Sequence, residues 1–222
     1  RQFLMGGSAL ALLALGGCSQ GLGYSLTEAI RRLLSLSSQR ALARLMAPGG
    51  FYDSQIARIT LPDQLGGSGG GSLLSRMLLS SVVRDRLLKQ VNRAAEKGAE
   101  RAAPVIADAI LSTSPQDAAA IIRAVGTPAA TNLLQQHMGT ALISAMLPGV
   151  DDGLKLFDNQ AVTEALRLAT GINFVGLRDD VTRKASDAIF AGMGREEMVI
   201  RADPRSSGYP VLIAALTAAS AL

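Results

Sequence analysis

Val83-Arg84-Asp85-Arg86-Leu87-Leu88-Lys89-Gln90-Val91-Asn92-Arg93-Ala94-Ala95-Glu96-Lys97-Gly98-Ala99-Glu100-Arg101-Ala102 is the stretch whose spacing decides the fold. Val83, Leu87, Val91, Ala94, Ala95, Gly98 and Ala102 recur at intervals of three and four, which is one face of an α-helix. Along that face the side chains shrink from Val and Leu to Ala and Gly, so a second helix can approach its later turns closely. On the other side Asp85 and Lys89 are spaced i, i+4, and Arg93 and Glu96 i, i+3, as ion pairs of an exposed face. The helical pattern reaches back to Leu73, with Ser80-Ser81 as a place for a break.

Further helices are predicted on both sides. Ser25-Leu26-Thr27-Glu28 has the form of a capping box, a hydroxyl followed three residues later by Glu. It predicts a helix to Met46, stopped by Pro48-Gly49-Gly50. Residues 50–65 lack helical periodicity, and we expect an ordered loop that packs Phe51, Ile59 and Leu61 onto helices. Gly66–Gly71 lacks both the Gly-Lys-Ser/Thr ending and the preceding strand of a phosphate-binding loop, and reads as a linker. Pro104 suits the first turn of a new helix, Pro104–Leu111. Ser114-Pro115-Gln116-Asp117 caps another, through Val125 to a stop at Gly126. Thr127-Pro128 opens one through Met146, stopped by Pro148-Gly149. Two more run from Leu154 to Ala169 and from Leu177 to Ala202, the latter ended by Asp203-Pro204. The uncharged tail Pro210–Leu222 is apolar all round, suited either to the core or to docking on a membrane or partner. The expectation is an all-α fold: a single compact multi-helix domain over residues 26–222, with one long ordered loop and a Gly-rich linker.

Composition agrees. Of 222 residues, 48% are hydrophobic and 18% charged, too apolar for a disordered chain. Aromatics are 4% and Trp is absent, so the core must be built from Ala, Leu, Ile, Val and Met, of which Ala and Leu favour helices. The net charge of +4 is spread along the chain without basic blocks, which gives no sign of a nucleic-acid partner. The single cysteine, Cys18, allows no internal disulfide and no cysteine-rich zinc site.

That cysteine stands in a telling place. Arg1, the apolar run Phe3–Leu15 and the small Gly16-Gly17 fill the basic, apolar and small-residue parts of an export signal. Phe3–Gly17 is too short and too glycine-rich to span a bilayer, which takes roughly 20 apolar residues. Leu15-Gly16-Gly17-Cys18 resembles a lipobox, which implies a signal peptide at 1–17 and lipid on Cys18, the first residue of the mature chain. Arg1-Gln2-Phe3-Leu4 also looks like the second half of a twin-arginine signal, and either that route or ordinary Sec export fits. Ser19 after the cysteine implies anchoring at the inner leaflet of the outer membrane, in the periplasm, rather than at the inner membrane. Residues 18–25 would form lipidated cysteine and tether; even fully extended, Ser19–Tyr24 reach about 20 Å.

Candidate chemistry is sparse. A Ser-His-Asp arrangement would have to use His137, the only histidine, which lies inside a predicted helix, and the chain has no Gly-x-Ser-x-Gly elbow. Glu196, Glu197, Arg201, Asp203 and Arg205 form the densest charge cluster. Two carboxylates can serve as acid and base, but Glu197 and Arg201 have the spacing of a helix salt bridge. Asn92, Arg93 and Glu96 read the same way. No catalytic set, metal site or cofactor site emerges.

Gly50-Phe51-Tyr52, Ala57-Arg58-Ile59-Thr60-Leu61-Pro62, Asn92–Glu96, Val181-Thr182, Phe190, Glu196-Glu197, Ile200-Arg201 and Pro204 together resemble the bacterial family called domain of unknown function 4197. The resemblance covers roughly Leu26 to Leu216. Thr60 replaces a proline common in that family, and Gly66–Gly71 looks inserted. The resemblance implies an exported α-helical domain and no particular activity. The candidate functional residues are Glu196, Glu197, Arg201, Asn92, Arg93, Glu96, Phe51, Tyr52 and Arg58, with Cys18 for lipidation. The reading is of a non-enzymatic, lipid-anchored periplasmic protein whose partners are the membrane and envelope proteins. The alternative is a helical carrier or sensor of a lipid or other apolar ligand.

Overall fold

The computed structural model describes residues 18–61, 81–124, 126–155 and 174–219. Among these are six α-helices and no strand: α1 (Cys18–Leu45), α2 (Ser81–Leu111), α3 (Pro115–Arg123), α4 (Ala129–Leu154), α5 (Phe174–Ala202) and α6 (Pro210–Ala219), with a 3-10 turn at Pro204–Ser207. The fold is all-α, as composition and periodicity require.

Helices α2 and α4 share the broadest interface, because both present small residues at the crossing. A Cβ at Gly149 would lie 2.4 Å from the Lys97 carbonyl oxygen, and one at Gly153 2.4 Å from the Ala94 Cα. The shrinking stripe of α2 is therefore met by glycines on the other side. Helix α5 packs on α4 and α1, and α1 also receives α3 and α6. Ile30, Leu33 and Leu34 of α1, Leu142 and Met146 of α4, and Ile189, Met193 and Ile200 of α5 meet in one buried core.

Three boundaries differ from the sequence reading. Helix α1 begins at Cys18, so Ser25 is inside it and the expected tether 18–25 is helical backbone. Glu28 accepts a hydrogen bond from Arg32 Nε at 2.7 Å rather than closing a cap. Pro104 lies within α2 instead of starting a new helix. Pro148-Gly149 lies within α4 instead of ending it. Both prolines are exposed, so the carbonyl left unbonded one turn earlier is on the solvent side. At Pro148 the helix continues because Gly149, Val150 and Leu154 are buried, and packing outweighs the proline's cost of about 3 kcal/mol. The expected signal 1–17, the linker 66–71, the start of the helix predicted from Leu73 and nearly all of the 154–169 helix lie outside the described residues.

Other expectations hold. The Ser114–Asp117 capping box is formed on both sides, and Gly126 follows α3 with a positive φ of 77°. Asp203-Pro204 ends α5. In the tail, Leu212 and Leu216 are buried while Val211 is 43% exposed, so one face of α6 joins the core.

Candidate functional site

The long loop after α1 is closed by polar contacts to α2. Asn92 is fully buried. Its Oδ1 accepts from the Ile59 amide at 2.8 Å, and its Nδ2 donates to the Ile59 carbonyl at 2.9 Å and the Leu88 carbonyl at 2.7 Å. One side chain thus satisfies both backbone groups of a buried residue as a neighbouring strand would. Phe51 at 0% exposure, with Ile59 and Leu61 buried near it, supplies the loop's apolar footing.

The loop's outer side is polar. Tyr52 donates its hydroxyl to Asp85, and Asp85 pairs with Lys89 at 2.8 Å. Arg58 donates to the Tyr52 carbonyl and lays its guanidinium 4.5 Å from the centre of the Tyr52 ring. The hydrogen bond to Asp85 raises the Tyr52 hydroxyl above its ordinary pKa, against the lowering effect of Lys89 and Arg58, and Asp85 is lowered through its bonds to Lys89 and Tyr52. Glu96 accepts from the Gly49 amide at 3.0 Å. Gly49 has φ +81°, a left-handed conformation that glycine adopts freely. Partial burial pushes the Glu96 carboxyl above its usual range, against the lowering effect of the Gly49 and Phe51 amides.

Between this loop and α2 lies a cleft of about 660 Å³. Met46, Pro48, Gly49, Tyr52 and Asp53 form one wall. Lys89, Arg93, Glu96, Lys97 and Glu100 form the other, with Lys89, Arg93 and Lys97 in a row at steps of four residues.

The second charge cluster is closed. Glu197 is fully buried. It accepts from the amides of Ala130 at 3.1 Å and Thr131 at 2.8 Å, from the Thr131 hydroxyl at 2.8 Å, and from Arg201 Nε at 2.8 Å. Pro128, at the start of α4, offers no side-chain cap, so Glu197 of α5 performs that role from another helix. Arg201 also donates to the Ile121 carbonyl of α3 at 3.3 Å. Glu196, 3% exposed, is held by Arg44 of α1.

Over residues 23–216 the chain matches the family described as Protein of unknown function (DUF4197). It belongs to that family. No curated protein and no solved structure matches. In this DUF4197 chain the matched region takes in every motif residue named above, while Cys18 precedes it by five positions.

The nine candidate residues divide between two places. Phe51, Tyr52, Arg58, Asn92, Arg93 and Glu96 come together at the loop and its cleft. Glu196, Glu197 and Arg201 join α5 to α1, α3 and α4. The expected Arg93–Glu96 ion pair is not formed: Glu96 turns to the Gly49 amide, which no i, i+3 rule could foresee. His137 is exposed and borders a separate cavity of about 120 Å³ with Asp117, Thr113 and Met138. It lies six residues after Thr131, about 9 Å further along the α4 axis. His137 is not among the hydrogen-bond partners of Glu197, which is bonded at the start of α4. Asp53, Lys89, Lys97 and Glu100 are charged cleft residues that were not among the candidates; a single Asp in a loop, or charges along an exposed helix face, give no signal of a site. Among the described residues no three His, Cys, Asp or Glu side chains group as a metal site, and no helix is long and apolar enough to cross a membrane.

Proposed function

We propose that this protein is exported, lipidated on Cys18 and held at the inner leaflet of the outer membrane, where its helical domain acts by binding rather than catalysis in envelope structure or protein interaction. The observation that carries the non-catalytic reading is the state of the buried acidic cluster. Glu197 is saturated by four donors and Glu196 is paired, so neither is placed to move a proton on a substrate.

The anchor rests on Leu15-Gly16-Gly17-Cys18 and is supported by a family match that begins after it. With α1 starting at Cys18, the lipid would join the first residue of a helix and keep the body against the membrane. Charged residues around the cleft favour a polar ligand over an apolar one. Palmitate labelling of the full-length precursor in bacterial cells tests the anchor. Label and membrane fractionation are expected in the wild type and absent in Cys18→Ala; equal labelling of both would overturn the reading.

A further inference from the structure

Two ionised side chains in the cleft are not committed to the fold. Arg93 is exposed and, among the described residues, its guanidinium makes neither a hydrogen bond nor an ion pair within 4 Å, its effect on Glu96 being through space. Asp53, on the facing turn, is likewise exposed; its amide donates to the Gly49 carbonyl at 2.8 Å, while its carboxylate makes neither contact among the described residues. Their neighbours are engaged: Lys89 by Asp85 at 2.8 Å, Lys97 by Glu100 at 3.7 Å, and Glu96 by the Gly49 amide. Among the described residues the cleft therefore holds one guanidinium and one carboxylate that make no ion pair within 4 Å, although Arg93 and Asp53 both act on Glu96 through space and Asp53 on Lys89. With three cations and three carboxylates lining it, the cleft has no net charge to favour a polyanion.

We propose that this cleft binds a small zwitterion, with its oxyanion held by the Arg93 fork and its ammonium by Asp53. A guanidinium presents two parallel N–H groups that match a carboxylate or phosphate, and a lone carboxylate suits an ammonium point charge. The volume of about 660 Å³ falls in the range of small-ligand sites. Peptide termini and the phosphoethanolamine headgroup of a membrane lipid share this chemistry. The inference rests on the cleft alone and is independent of lipidation at Cys18.

Calorimetric titration of the full chain with alanyl-alanine, phosphoethanolamine, acetate and ethanolamine tests it. At least one zwitterion should bind, tenfold or more tighter than acetate or ethanolamine; which one binds separates the peptide source from the headgroup source. Arg93→Ala and Asp53→Asn should each weaken binding at least tenfold, and Arg93→Lys, which keeps the charge but loses the fork, should weaken it too. Both side chains are exposed, so the variants should melt as the wild type does. No binding of either zwitterion at millimolar concentration, or binding unchanged in Arg93→Ala and Asp53→Asn, would overturn the proposal.

Discussion

Glu196, Glu197 and Arg201 on α5 and Asp53, Arg93 and Glu96 at the loop cleft are built from the same residue types, and they differ in how far their hydrogen-bonding capacity is used. On α5, Glu197 is fully buried and meets donors from a second helix as well as its own Arg201. At the cleft, Glu96 is held by a backbone amide, while the side chains of Arg93 and Asp53 face solvent. A charge cluster is thus a candidate binding site because some of its members lack partners, not because it is dense. Glu196 and Glu197, the adjacent acids of the densest charge cluster, are built into the fold.

The sharpest way to break this comparison is to remove the buried partner. Glu197→Ala would leave the Ala130 and Thr131 amides and the Arg201 guanidinium without their acceptor, and should cost about 3–5 kcal/mol in urea unfolding. A loss below about 1 kcal/mol would place Glu197 with the cleft residues. Asn92→Ala comes next. It leaves both backbone groups of Ile59 unsatisfied and should cost about 2–4 kcal/mol. Amide exchange at Ile59 should quicken more than at α5, which would show the loop opening by itself. The smallest effect belongs to Glu96. Its folded pKa lies above its ordinary 4.5, so its contribution is fully present below that value and is lost as pH rises through the folded pKa. Thermal melts should therefore show the wild type losing ground to Glu96→Gln as pH rises above the ordinary 4.5. The opposite trend would mean that the amide bonds outweigh burial and that Glu96 belongs with Glu197.

Features that depend on neighbours along the chain were legible in the sequence. The Ser114–Asp117 cap, the loop footing on Phe51, Ile59 and Leu61, and the close face of α2 all follow from local spacing or side-chain size. The Glu197–Arg201 bridge was legible for the same reason. The prolines at 104 and 148 misled because proline's local preference, for a helix start at 104 and a helix stop at 148, gave way to burial of the residues around each. The long-range partners left no pattern to find: Arg44 and Glu196 are 152 positions apart, and Asn92 and Ile59 33. The cleft itself arises only where the Gly49 turn meets α2. Sequence could name Arg93 as a candidate but not show it unpaired.

The cap on α4 bears on the order of folding. The Thr131 amide is bonded by a residue 66 positions later, so the first turn of α4 is completed only when α5 has docked. Early contacts within α4 can form its middle, yet its start must wait for a segment made long afterwards during synthesis. The two helices should consequently open as one cooperative unit, with exchange at Ala130 and Thr131 following the unfolding of α5 rather than fraying of their own helix.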